Sequence, residues 1–255
     1  MLSNRRGASE LDRNAFRAMA ETEDRHWWFI GRRAIIRSLI RSIVKEPGRP
    51  RILEAGCGTG GNLAMLQDFG ELTAFELDDS ARSHAAAVSQ LKIHPGSLPD
   101  GIDHIAGPFE LICLFDVLEH VESDVAALRV LVSKLAPGGA ILLTVPALQF
   151  LWSDHDELHH HKRRYSKSSL IESLRGAGLS VEYVSYFNTI LFPLALMQRL
   201  ASRIAGHDLG DSAAVPPAGV NRLLAGIFAV EAVLLRHVRM PIGLSLCAIA
   251  KRTGG

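Results

Sequence analysis

The residues best placed by type and spacing to do chemistry lie in one run, Glu54-Ala55-Gly56-Cys57-Gly58-Thr59-Gly60-Gly61-Asn62, directly after an apolar segment at 51–55. Glycines at a strand end let the backbone turn sharply and let a ligand approach it, and the helix that follows offers its unpaired N-terminal amides. A nucleotide-type cofactor is the expected occupant. Glu76 stands twenty residues after Gly56, at the end of a second apolar segment, where its carboxylate can take both hydroxyls of a ribose. Ligands of open parallel sheets sit at the carboxyl ends of the strands, which is where both features fall.

Gly56, Gly58 and Gly61 also satisfy the G-x-G-x-x-G spacing of a dinucleotide fold, so the glycines alone leave two cofactor classes open. Glu54 separates them: a carboxylate there repels a pyrophosphate and suits the ammonium of an amino acid, which favours S-adenosylmethionine over NAD(P). With these residues in view the chain resembles the class I S-adenosylmethionine-dependent methyltransferases. The resemblance runs from 51 to 145 through Glu54-x-Gly56-x-Gly58-x-Gly60, Glu76, Gly96-Ser97-Leu98, Phe109-Glu110-Leu111-Ile112, Phe115-Asp116-Val117-Leu118-Glu119-His120-Val121 and Leu135-Ala136-Pro137-Gly138-Gly139-Ala140-Ile141-Leu142. It implies that Gly56, Cys57, Gly58, Gly60 and Asn62 form the cofactor loop, that Glu54 orients the ammonium and that Glu76 binds the ribose. It further implies that Leu77, Ser97 and Leu98 flank the adenine and that Phe115 and Asp116 lie beside the sulfonium. The family often has Asp where Glu54 and Glu76 stand, and an acidic residue where Ser97 stands. An NAD(P)-dependent oxidoreductase and a non-catalytic binding protein on the same fold remain the alternatives.

Methyl transfer to a hydroxyl needs a group to take its proton. His120 is one candidate, since Leu118-Glu119-His120 resembles the segment after the fourth strand of small-molecule and quinone-precursor methyltransferases; the same histidine would also serve as a helix cap. A second candidate region follows the fifth strand, through Trp152-Ser153-Asp154-His155-Asp156 and His160-His161-Lys162-Arg163-Arg164-Tyr165. His155, Asp156 and Tyr165 are candidate catalytic groups there. His160 and His161, with Arg163 and Arg164 for a phosphate or carboxylate and Trp28 and Trp152 as apolar walls, are candidate acceptor contacts. His155 and His159 have helical spacing but no clear third ligand, so no metal is expected of them.

These residues need a scaffold. Apolar runs at 51–55, 72–76, 110–115 and 140–145 alternate with helical patterns, which predicts a parallel sheet covered on both faces. Leu128, Leu131, Val132 and Leu135 share one helical face, stopped by Pro137-Gly138-Gly139; Leu170, Ile171, Leu174 and Ala177 share another, from Ser166 as N-cap to Gly178. Runs at 181–187 and 243–250 close the sheet. The expected fold is therefore α/β, a Rossmann-like doubly wound seven-stranded sheet, mostly parallel with an antiparallel last strand. It is read as one domain over 1–255, with a helical cap at 1–46 and a helical insertion at 188–240, where the patterns 190–204 and 220–238 flank a Gly/Asp/Pro-rich linker.

Composition sets the outer limits. Hydrophobic residues make up 47% of the 255 residues and Lys+Arg 28 nearly balance Asp+Glu 27, so the chain can bury a core and lacks the basic excess of a general nucleic-acid binder. Cys57, Cys113 and Cys247 are widely spaced and odd in number, which fits a reducing, cytoplasmic setting, and charges in the first 23 residues interrupt any signal-peptide core. No apolar stretch reaches the ~20 residues of a spanning helix. Arg199, Arg203, Arg222, Arg236 and Arg239 around the apolar insertion make a lipid-like or anionic acceptor, peripheral membrane contact or an oligomer contact the expected partners.

Overall fold

In the computed structural model of the protein, residues 19–44, 48–205 and 214–252 are described. Strands β1 (Arg51–Ala55), β2 (Glu71–Glu76), β3 (Ile93–Pro95), β4 (Phe109–Phe115) and β5 (Leu135–Pro146) run parallel, and β6 (Leu179–Phe187) and β7 (Ser245–Arg252) complete a seven-stranded sheet of order β3-β2-β1-β4-β5-β7-β6. β7 lies between β5 and β6 and is antiparallel to both. The fold class expected from the alternation of apolar runs is the one observed. β1 pairs with β2 on one side and β4 on the other, so the strand order reverses beside β1 and opens a crevice at its carboxyl end.

Helix α1 (Trp27–Ile43) begins where the His26 ring nitrogen accepts from the Trp28 amide at 3.2 Å. Its apolar stripe, Ile35, Ile36, Leu39 and Ile40, is buried against one sheet face and helix α8 (Ala218–Leu234), each side chain contributing about 1.5–3 kcal/mol by leaving water. Gly31 lets α1 and α8 touch: a Cβ there would overlap the Phe228 ring. Helix α2 (Leu63–Gln67) follows the glycine loop and α3 (Asp79–Ser89) follows β2. The opposite sheet face is covered by α4 (Asp124–Ser133), through Ala127, Leu128 and Leu131, and by α6 (Lys167–Gly176), through Leu170 and Leu174. Short α5 (Asp154–Leu158) lies before α6, and α7 (Phe192–Ala205) precedes α8. Ser166 caps α6 as expected, in a reciprocal capping box with Ser169.

One local expectation is corrected. Leu135 does not belong to the preceding helix, which ends at Ser133; Leu135 opens β5, and Pro137-Gly138-Gly139 lie inside that strand, where Gly138 takes φ +75° and the pairing with β4 shifts register. β3 has no apolar run long enough to signal it, and it forms because Ala74, Phe75 and Glu76 of β2 offer it a ladder. The insertion between β6 and β7 splits in behaviour: α8 buries Phe228, Glu231 and Ala232, whereas α7 leaves Leu194, Met197, Leu200 and Ile204 exposed.

Candidate active site

The glycine loop is pinned to the sheet before any ligand is considered. Gly56 and Cys57 both donate to the Phe75 carbonyl at 3.0 Å, and the Gly58 amide donates to Glu76 Oε2 at 2.8 Å. Glu76 Oε1 accepts from the Leu77 and Asp78 amides, so this one carboxylate ties the loop to the turn after β2. Gly56, Gly58 and Gly60 take φ of +74°, +54° and +96°, where side chains are strained. A Cβ on Gly58 would meet nothing within 4 Å, so the loop leaves open room beside its backbone. Cys57 is buried within it, and burial drives its thiol far above its ordinary range, which makes it inert.

Beneath the loop lie three unsatisfied polar atoms. Glu54 is 1% exposed; its Oε1 accepts from Asn62 Nδ2 at 3.1 Å, while Glu54 Oε2, Asn62 Oδ1 and Arg32 Nε have no partner. Burial pushes the Glu54 carboxyl up to about 8, against the opposing pull of Asn62 and Arg32. Two acceptors beside a guanidinium donor complement the ammonium and carboxylate of an amino-acid zwitterion. The residues present therefore fit the methionine end of S-adenosylmethionine. Arg32 reaches this place from α1, pairing with the Asp116 carboxylate and lying 4.6 Å over the Trp28 ring. Residues before α1 close the loop from above: Glu23 accepts from Thr59 Oγ1 at 2.9 Å, and Arg33 donates to the Glu23 and Gly61 carbonyls.

At the end of β4, Asp116 takes φ +55° and is held by the Thr144 carbonyl and hydroxyl. Phe115, expected beside the sulfonium, packs into the core under α1 and α8 instead, because its side chain alternates to that sheet face. Ser97 donates to the Asp100 carbonyl, Leu98 packs against the core and Leu77 is exposed, all at the carboxyl ends of β2 and β3.

The second region assembles differently from its sequence expectation. Asp156 is fully buried and accepts from Arg164 Nε and Nη2 at 2.8 and 2.9 Å, from the Ser153 amide and from His161 Nδ1 at 2.8 Å. Burial by itself would raise its carboxyl, but His161, Arg164 and Ser153 hold it well below the carboxylate range. Asp156 and Arg164 are thus a structural clasp rather than a base and an anion clamp. Tyr165 is also buried, its hydroxyl donating to Asp124 Oδ2 at 2.9 Å, and burial with Asp124 drives its phenol far up; it is not at the mouth and is not placed to take a proton. Arg163 turns away to the Glu122 carbonyl and Asp124. Trp152 is half-buried with its Nε1 on Glu157 at 2.5 Å, His160 is exposed, and the His155 side chain lies outside the described residues.

His120 and His161 are brought together, their rings perpendicular at 4.7 Å between centroids. Loss of hydration, with His161 and His159 alongside, holds His120 down at about 4, although one edge of the ring remains exposed. Glu119, which the sequence reading passed over, is fully buried beside them with neither carboxylate oxygen hydrogen-bonded. Burial and the Asp116 charge push its carboxyl well above the usual range. Arg32 was missed as well; its only signal is a pair of arginines one turn after Trp27-Trp28, and nothing local says which of the two turns inward.

The profile of a methyltransferase-domain family matches residues 25–184. The chain belongs to the class I S-adenosylmethionine-dependent methyltransferases. Membership removes the dinucleotide oxidoreductase from consideration. The methyltransferase is 30% identical over 178 residues to the ubiquinone biosynthesis O-methyltransferase of Xanthomonas axonopodis pv. citri, covering 62% of this chain and 73% of that one. It is 36% identical over 113 residues to an uncharacterized Synechococcus sp. protein, a match spanning 39% of this chain and only 26% of that longer protein. Among solved structures, an S-adenosylmethionine-dependent methyltransferase from Mesorhizobium loti superposes with a TM-score of 0.53 at 16% identity, covering 84% of this chain and 96% of that one. That likeness concerns the fold of the methyltransferase.

Proposed function

We propose that this methyltransferase carries a methyl group from S-adenosylmethionine to an oxygen of a small acceptor that has an apolar portion. The cofactor supplies a methyl already activated by its sulfonium, so transfer is an in-line displacement in which positioning supplies much of the rate. Glu54, Asn62 and Arg32 hold its amino-acid end, Glu76 its ribose, and Leu77, Ser97 and Leu98 border its adenine. The acceptor oxygen forms the new bond to carbon as the carbon–sulfur bond breaks, and its proton leaves at the corner made by Glu119, His120 and His161.

The observation that carries the oxygen assignment is the grouping after β4 of the His120 ring against His161, 4.7 Å between centroids, beside the buried Glu119, a set of groups able to receive a hydroxyl proton. The name of the Xanthomonas relative is in keeping with it. The apolar portion is supported by α7 and α8, whose outward residues include Leu194, Met197, Leu223, Val230 and Val233. Glu231, the only acidic residue among the described residues between 190 and 243, is buried, while Arg222, Arg236 and Arg239 are exposed. We infer peripheral contact with an anionic lipid surface here; no helix among the described residues is long and apolar enough to cross a membrane. The test is transfer from S-adenosylmethionine carrying a labelled methyl to lipid and polar metabolite extracts, with the product's methylated atom located by mass spectrometry and NMR. An O-methyl product from the lipid fraction is expected; label on nitrogen or carbon, or on plain polar metabolites alone, overturns the reading.

A further inference from the structure

The first turn of α1 is held from outside itself. Asn221, in the first turn of α8, accepts from the Trp27 amide through Oδ1 at 2.8 Å and donates through Nδ2 to the Arg25 carbonyl at 2.7 Å. The amides that open a helix have no partner within it; here His26 serves that of Trp28, and a residue 194 positions away serves that of Trp27. A carboxamide carries an acceptor and a donor on one short fork, so the two bonds fix the orientation of Asn221 together with that of the chain it grips.

The grip falls at a corner. Before it, the segment preceding α1 closes over the glycine loop, where Glu23 accepts from Thr59 Oγ1 at 2.9 Å. After it, α1 brings Arg32 to Asp116 and Arg33 to the Glu23 and Gly61 carbonyls. The angle of the chain at His26 therefore decides where both arms land. Further along, Phe228 fills the notch at Gly31, and Ser38 Oγ donates to the Ala232 carbonyl at 2.7 Å, so α8 follows α1 over its length. A ring packed on a glycine resists separation of the helices; the directional bonds of Asn221 also resist rotation of α1 about its axis. Rotation matters because neighbouring residues of a helix point about 100° apart. Arg32 lies by the buried Glu54 and Asn62 with its Nε unpartnered, whereas Arg33, the next residue, is turned to Glu23.

We infer that Asn221 is a positioning residue for the cofactor: from the insertion between β6 and β7 it sets the pose of α1 and so aims Arg32 at the amino-acid end of S-adenosylmethionine, an assignment that rests on the reading above in which Arg32 holds that end. The family profile ends at residue 184, so the grip on α1 comes from a part of the chain outside the matched domain.

The experiment is a double-mutant cycle on the full-length protein. S-adenosylhomocysteine, which keeps the amino-acid end, is titrated by calorimetry into wild type, Asn221→Ala, Arg32→Ala and the double variant, and thermal unfolding is recorded for each. Asn221→Asp, which keeps the acceptor for Trp27 and loses the donor for Arg25, takes the place of Asn221→Ala throughout if the latter does not fold. The expected result is an affinity weakened about fivefold or more by Asn221→Ala, but changed by less than about twofold when the same substitution is made on Arg32→Ala, because a residue that acts through another has nothing left to act on. A lower melting temperature with unchanged affinity, or losses that add in the double variant, overturns the inference while leaving Arg32 in the cofactor site. Unchanged affinity in Arg32→Ala overturns the reading of Arg32 and the role of Asn221 with it.

Discussion

Arg32 on α1 pairs with Asp116 at the end of β4, 84 residues away, and so draws the first helix across the crevice beside the glycine loop. The guanidinium is almost buried, rests on Trp28, and keeps Nε unpaired next to Glu54 and Asn62. One side chain thereby connects α1, the glycine loop and the end of β4.

Replacing Arg32 by alanine should weaken S-adenosylhomocysteine binding by about tenfold or more, the scale of a charge-assisted hydrogen bond lost from a buried site. Arg32→Lys should recover little of it, because an ammonium cannot reproduce the planar fork. Calorimetric affinities within twofold of wild type for both variants would remove Arg32 from the cofactor site.

Glu54 sets a pH dependence. In the free protein its carboxyl sits at about 8, and an ammonium held against it requires the ionised form. The free site therefore carries a proton below pH 8 and must release it on binding. Affinity for S-adenosylhomocysteine should fall as pH drops from 8 to 6, by up to about tenfold per unit. Calorimetry in buffers of different ionisation enthalpy should show proton release near pH 7. Glu54→Gln should abolish both effects; their persistence in that variant would assign the proton to another group.

Gly31→Ala tests the contact between α1 and α8. The added methyl would overlap the Phe228 ring, itself stacked on Phe187, and overpacking of this kind costs about 1–3 kcal/mol. The expected result is a melting temperature lower by several degrees together with weaker cofactor binding, because α1 also carries Arg32 and Trp28. Unchanged melting would mean that the two helices separate freely at this point.

The outward face of α7 and α8 predicts association with liposomes containing anionic lipid, weaker at high salt, and absent from neutral liposomes. Met197→Glu with Leu223→Glu should abolish co-sedimentation while leaving S-adenosylhomocysteine affinity intact. Binding to neither liposome type, with a dimer seen in sedimentation, would reassign the surface to a second copy of the chain.

The placement of Glu54, the glycines and Glu76 at strand ends was legible from the sequence because each lies on, or directly after, a strand whose register is local, so spacing along the chain equals placement in space. The same holds for Ser166 at the start of α6. Asp156, Arg164 and Tyr165 were misread for the opposite reason. Their residue types say that they can carry charge or a proton, but burial turned the first two toward each other and the third toward Asp124. Pro137-Gly138-Gly139 read as a helix stop because turn residues break helices, yet the neighbouring strand β4 absorbed the irregularity as a shift of register.

By itself, the sequence determined the alternation of strands and helices, the cofactor loop and hence the family, since these follow from short-range periodicity and from backbone conformations that few residues other than glycine adopt. Only the tertiary structure decided which buried charges are satisfied and which are left open. Arg32 met Asp116, Asp156 met Arg164 and His161, and Glu119 met no partner, because the energy of a buried charge depends on groups that arrive from distant segments and on the water that packing excludes.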